Sequence, residues 1–191
     1  TPKFQGGFGL SGQWKNFDFT ANFNYMVDFD VYNATNYMLS SSISNTNNFY
    51  NVLADFTQKN RWTYVRADGE CLYKNTNIDG SVNEYITMNA GKSLWNPADV
   101  EDKVTHSYFV EDGSFLRLQD VTIGYTLPSN LTKKWGMSKV RFYASASNLF
   151  ILTGYSGYDP EVDVQSGLTP SMDYNRYPRS RSFVFGTNIT F

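Results

Sequence analysis

Residues 17–29 read Phe17-Asp18-Phe19-Thr20-Ala21-Asn22-Phe23-Asn24-Tyr25-Met26-Val27-Asp28-Phe29. Every odd position is apolar or aromatic, and every even position except Met26 is polar. Side chains on a strand point to opposite faces with period 2, so this stretch predicts a strand with one greasy and one polar side. Just upstream, Phe4, Phe8, Leu10 and Trp14 mark a similar strand over 3–14, opposed by Gln5, Gly7, Gly9, Ser11 and Gln13. A tight turn at Lys15-Asn16 makes the pair a hairpin. Gly6-Gly7-Phe8-Gly9 lies within that strand, so it reads as a close backbone approach or a bend and not as a phosphate cradle.

Three more strands follow downstream. Over 114–127, Val121, Ile123, Tyr125 and Leu127 share an apolar face, and Pro128 ends the run. Leu116 and Leu118 fall on the other parity, which points to a bulge near Gln119-Asp120. Over 139–153, Val140, Phe142, Ala144 and Ala146 oppose Arg141, Tyr143, Ser145 and Ser147. Over 181–191, Phe183, Phe185, Ile189 and Phe191 oppose Gly186, Asn188 and Thr190. A strand in a soluble domain usually has about 5–6 residues, whereas a tilted membrane strand needs about 9–11. All five candidates reach the longer figure, and a face of Asn, Ser, Thr, Asp and Gly suits a hydrated lumen.

Composition agrees with this class. The 191 residues carry 16 Lys+Arg against 18 Asp+Glu, a net charge of -2, so no basic footprint argues for nucleic acid or an anionic lipid surface. Aromatics make up 17% and charged residues only 18%, which argues against disorder. The single cysteine, Cys71, excludes an intramolecular disulfide and a multi-cysteine zinc site, and the single histidine, His106, excludes a histidine-rich metal centre. No apolar run approaches the roughly 18 residues of a transmembrane helix, but barrel strands need only alternate.

The connections alternate in length: short at 15–16, long over 30–113, short over 128–138 and long over 154–180. Transmembrane barrels have short periplasmic turns and long extracellular loops. With Phe191 at the periplasmic face, strand parity places every short turn in the periplasm and both long loops outside. Within the first long loop, Met38, Ile43, Phe49, Val52, Leu53 and Phe56 are spaced for one or two short helices. Residues 44–48 read as a turn or helix cap, and 60–103 are polar.

No catalytic constellation is present: there is no G-x-S-x-G, no H-E-x-x-H and no P-loop. The chain is therefore read as a non-enzyme with no catalytic residue, no metal site and no cofactor. His106 reads as a surface histidine and Cys71 as a loop thiol without a base. Asp159-Pro160-Glu161-Val162-Asp163 places three carboxylates at alternate positions, yet lacks the glycine turn of a calcium loop, so it reads as a solvated acidic loop. Tyr155, Tyr158, Tyr174 and Tyr177, beside Arg176, Arg179 and Arg181, are candidate substrate contacts, as are Trp62 and Trp95. The competing role for these rings is packing on the barrel rim or in an aromatic girdle.

Several stretches resemble one family. Residues 113–128 (GSFLRLQDVTIGYTLP), 140–150 (VRFYASASNLF), 157–161 (GYDPE), Tyr177-Pro178-Arg179 and 182–191 (SFVFGTNITF) resemble, in order, the C-terminal signatures of SusC/RagA-type TonB-dependent outer-membrane transporters. Residues 2–29 are similar in style. Asn60-Arg61-Trp62-Thr63 also resembles a family motif, here followed by a long polar insertion. Gly186, Ile189 and Phe191 resemble the membrane-assembly signal, with Val184 where a polar residue is usual. The strand that carries them is expected to offer its open edge to the insertion machinery before closing the barrel.

The resemblance implies an all-β chain: the C-terminal strands of a large antiparallel barrel of roughly 22 strands with a plug. Five strands cannot close a barrel, so the plug and the TonB-contacting segment are expected upstream, outside this chain. It further implies a multi-pass β-barrel in the outer membrane of a Gram-negative bacterium, surrounded by outer-membrane lipid. The implied activity is import of an oligosaccharide or peptide, under a SusD-like surface lipoprotein lid, energised through TonB. Two alternatives stand beside it. One is a siderophore-type receptor without a lid. The other is a soluble carbohydrate-binding β-sandwich, opposed by strand length, uneven loops and the terminal Phe191.

Overall fold

The computed structural model describes residues 2–40, 51–57, 59–64, 89–97, 106–162 and 171–191. Cys71, Asp163, Ile43, Phe49 and the 44–48 turn lie outside the described residues. The chain divides into two compact units, Thr1–Asn33 with Val110–Phe191, and Ala34–Phe109.

The first unit is built on five long strands: β1 (Phe4–Trp14), β2 (Phe17–Val27), β5 (Phe115–Thr126), β6 (Lys139–Thr153) and β8 (Ser182–Thr190). They form one antiparallel sheet in the order β1-β2-β5-β6-β8. No helix among the described residues is long and apolar enough to cross a membrane, which says nothing about strands.

Register turns the alternation of each strand into continuous rows. Leu10, Ala21, Val121, Ala146 and Phe183 align across all five strands, as do Gly12, Phe19, Ile123, Ala144 and Phe185. These rows make one apolar face, and it is open: Trp14 is 68% exposed, Ile123 56% and Phe185 81%. Burying such area from water is worth about 25 cal/mol per Å², so a bare face of this extent marks contact with an apolar medium or partner. The opposite face carries Gln13, Asp18, Thr20, Asn22, Asp120, Thr122, Arg141, Ser145 and Ser147.

Leu116 and Leu118 are returned to the apolar face by an irregularity at the expected place. Phe23 pairs with Leu118 and Asn22 with Asp120, so Gln119 is an extra residue in β5. The β5–β6 register also shifts between Leu118 and Asp120, where Asn148 of β6 takes a positive φ of 53°. One extra residue inverts every side chain beyond it, which is why two runs of opposite parity serve one face. Gly186 allows another close approach: an added Cβ would collide with the Tyr143 ring opposite it.

The expected strand over 17–29 ends early. β2 stops at Val27, Asp28 adopts a positive φ of 61°, and its amide donates to Ser114 Oγ at 3.0 Å. That left-handed residue swings Phe29 off the apolar face and into a core with Val31, Phe115 and Tyr155. Phe29 is thus a core residue and not part of the open face.

The two long connections also contribute a sheet with no counterpart in the sequence reading. β3 (Asp30–Asn33) pairs antiparallel with β4 (Val110–Asp112) and parallel with β7 (Met172–Asp173). Between β4 and β5, the Ser114 hydroxyl and, less strongly, its amide donate to Asp112 and hold its carboxyl below the usual range. The short connection after β5 contains helix Ser129–Thr132 and a 3₁₀ turn, Lys133–Trp135, which ends at Gly136 with φ 70°.

The second unit contains a short helix, Ala34–Met38, and a 3₁₀ turn, Ser107–Phe109. Of the apolar positions expected in helices, Met38 ends this helix, while Leu53 and Phe56 are joined by a turn hydrogen bond of 3.0 Å. Asn60–Trp62 and Leu94 form an isolated parallel bridge. The buried Asn89 side chain bonds both the amide and the carbonyl of Thr63, at 2.9 and 3.1 Å, in place of a strand partner.

Candidate functional site

The polar face of the five-stranded sheet is the first place where functional chemistry collects. Strand alternation puts Asp18 of β2 and Arg141 of β6 on this side, two strands apart. Between them lies Gly124 of β5, and an added Cβ there would collide with both side chains. The bare glycine lets Arg141 reach across β5 and grip Asp18 with Nε at 3.0 Å and Nη2 as a second donor. Nearby, Thr122 Oγ1 lies 2.7 Å from Ser145 Oγ, and Ser147 Oγ donates to Asp120 Oδ1 at 2.9 Å. This side is a hydrogen-bonding wall of hydroxyls and amides with the Arg141–Asp18 ion pair among them. It suits a hydrated solute better than a packed core.

A second cluster lies where the long connections meet the sheet. Arg117 projects from β5, only 4% exposed, and donates to Asp159 Oδ1 at 2.6 Å. Its Nε lies 3.3 Å from Glu161 Oε2, without hydrogen-bond geometry. Glu161 Oε1 in turn accepts from Arg179 at 2.7 Å, and Asp159 Oδ1 also accepts the Glu161 amide at 3.0 Å. Two of the three carboxylates expected in a solvated acidic loop are therefore bound inward. A bend at Pro160, closed by the Glu161 amide on Asp159 Oδ1, brings both carboxylates to one buried guanidinium. Sequence reasoning missed this cluster. Its signal was a lone arginine between two leucines in Leu116-Arg117-Leu118, opposite a paired-acid loop.

An open cleft of about 280 Å³ adjoins these groups, with Gln5, Met26, Phe29, Glu161 and Arg179 in its lining. Among the described residues, no cluster of three potential metal ligands occurs.

The aromatic candidates separate. Tyr155 is buried, and its hydroxyl donates to Asp173 Oδ2 at 2.7 Å. Burial and Asp173 push its phenol well above the ordinary value. Tyr155 thus closes the core under β7 and is not open to a solute. Tyr158, Tyr174 and Tyr177 are 74%, 65% and 87% exposed. In the second unit, Trp62 Nε1 donates to the Lys92 carbonyl at 3.1 Å. Trp95 is half-buried between Phe56, Phe109 and Tyr108, and the exposed His106 stacks on it at 4.8 Å. Of the residues resembling an assembly signal, Gly186 and Ile189 lie in β8 at a sheet edge, and Phe191 follows it, 88% exposed.

No protein-family model matches the sequence. Known proteins do resemble it. The chain is 32% identical over 197 residues to TonB-dependent receptor P3 of Formosa agariphila, covering 100% of this chain and 16% of that receptor. It is 41% identical over 86 residues to TonB-dependent receptor SusC of Bacteroides thetaiotaomicron, covering 44% of this chain and 8% of SusC. Among solved structures, the RagAB peptide transporter matches with a TM-score of 0.70 at 23% identity, covering all of this chain and 18% of that one. The fold is therefore that of a wall segment in such a barrel, and the chain spans 16% of the length of the Formosa receptor.

Proposed function

We propose, from the premise that this chain belongs to the SusC/RagA-type TonB-dependent receptors, that it forms wall strands and outer connections of an outer-membrane importer of oligosaccharides or peptides. The carrying observation is the two-sidedness of the five long strands. One face exposes rows of aromatic and aliphatic side chains, and the other presents hydroxyls, amides and the Arg141–Asp18 pair. A lipid-facing outside and a hydrated inside account for both at once. A soluble sandwich would bury its apolar rows against a second sheet, and the small sheet of β3, β4 and β7 is too short to cover them.

In this reading the whole receptor holds a plug that contacts TonB, and a SusD-like lipoprotein closes over the external connections. The exposed Tyr158, Tyr174 and Tyr177 are the substrate-contact candidates of this unit, and Trp62 and Trp95 those of the other. Gly186, Ile189 and Phe191 serve membrane assembly. The test is to purify the full-length receptor from a detergent-solubilised outer membrane and to assay uptake with and without TonB. A surface lipoprotein that copurifies, and uptake of oligosaccharide or peptide that disappears without TonB, are the expected results. TonB-dependent uptake of an iron chelate with no copurifying lipoprotein would replace this reading with a siderophore receptor.

A further inference from the structure

The short-turn end of the sheet concentrates positive charge in a chain whose net charge is -2. Lys15 occupies the β1–β2 turn, Lys133 and Lys134 the 3₁₀ turn after β5, and Lys139 the first position of β6; all four are exposed. The two connections are neighbours. The Thr126 amide donates to the Asn16 carbonyl at 2.8 Å, and Asn16 Nδ2 returns a bond to the Thr126 carbonyl at 2.7 Å. Residues 127–139 contain no aspartate or glutamate. Asp18, the carboxylate that β2 places near this end, is held by Arg141. Two tryptophans border the lysines. Trp14 closes the apolar face at 68% exposure, with the Lys15 ammonium 4.9 Å from its ring centre, and Trp135 is 61% exposed.

Each element has a physical preference. Indole rings favour the boundary between hydrocarbon and headgroups, and lysine stems lie along apolar surface while the ammonium reaches outward. Ammonium groups in a stretch without aspartate or glutamate complement an anionic headgroup better than a zwitterionic one. We infer that the short-turn end is a docking surface for anionic glycerophospholipid headgroups in the leaflet it faces. The inference rests on the outer-membrane barrel reading above. Trp14 and Trp135 set the depth, and Lys15, Lys133, Lys134 and Lys139 select the headgroup. A lysine near such a surface confers about a fivefold preference for anionic lipid.

The test uses the full-length receptor reconstituted in bilayers of equal phosphatidylglycerol and phosphatidylethanolamine, then released and its retained lipids counted by native mass spectrometry. The wild type is expected to retain phosphatidylglycerol selectively. The double variant Lys133→Gln with Lys134→Gln should lower that selectivity on the order of 20-fold, and Lys15→Gln with Lys139→Gln should lower it similarly. Lys92→Gln, in the other unit, should leave it unchanged. Excess inorganic phosphate should not displace the lipid; displacement would reassign the patch as a free-phosphate site and overturn the inference. Equal retention of both lipids, or selectivity that neither double variant changes, also overturns it. Folding is followed in parallel by heat-modifiable migration on gels. A receptor that never folds in bilayers refutes the barrel reading itself, whereas one that folds without lipid selectivity refutes only the inference.

Discussion

Arg117 shows what a single side chain does in this fold. A guanidinium 4% exposed is stable there only because Asp159 and Glu161 meet it. Arg117→Ala removes the cation and leaves Asp159 uncompensated, while Glu161 keeps Arg179. A loss of about 3 kcal/mol is expected, read as a lower urea midpoint for the folded receptor. Asp159→Asn should cost less, since its amide oxygen still accepts. Equal midpoints for Arg117→Ala and wild type would remove the cluster from the stability argument.

Tyr155 makes a prediction in pH. Its phenol is raised by burial and by Asp173, so the folded state holds the proton more tightly than the unfolded chain does. Such a group contributes its full stability below its unfolded value, near 10, and loses it as pH rises toward the folded value. The stability difference between wild type and Tyr155→Phe should therefore be flat through neutral pH and shrink only above about pH 10. A difference that changes between pH 5 and 8 would assign the dependence to another group.

At the scale of the element, the bulge in β5 carries the argument. Gln119 lets Leu116 and Leu118 share a face with Val121 and Ile123, and it keeps Arg117 on the acid-lined side. Deleting Gln119 removes the extra residue, so Leu116, Leu118, Val121 and Ile123 fall into one unbroken alternation and keep one face. Arg117 stays on the acid-lined side, with Asp159 and Glu161. Retention of the heat-modifiable folded band is the expected result. Loss of that band would show that the bulge does more than reconcile the two parities. The bulge position was readable because two apolar runs of opposite parity met at Gln119-Asp120. The end of β2 was not, because Phe29 continues the alternation in sequence. Only the left-handed Asp28 and its bond to Ser114 turn it inward.

At the scale of the whole molecule, the two faces predict opposite responses to the same substitution. Leu10 and Ser11 are adjacent in β1 and lie on opposite faces. Leu10→Arg should cost about 2–4 kcal/mol if its row lies near the membrane midplane, whereas Ser11→Arg should cost close to nothing. Folded yield in bilayers of the full-length receptor compares the two directly. Equal losses would contradict the assignment of lipid and lumen sides.

The sequence by itself determined the class of the fold: five long alternating strands, their order of short and long connections, and the polarity of each face. Those follow from period 2, which is local and survives without knowledge of neighbours. Resemblance in the motifs from residue 113 onward supplied the family. Tertiary structure alone decided which groups meet. It brought Arg141 across Gly124 to Asp18, turned Asp159 and Glu161 inward onto Arg117, buried Tyr155 against Asp173 and built the sheet of β3, β4 and β7. Each of these joins residues distant in sequence, many of them in short irregular segments. No periodic pattern encodes such contacts, and the register between strands sets which side chains come within hydrogen-bonding reach.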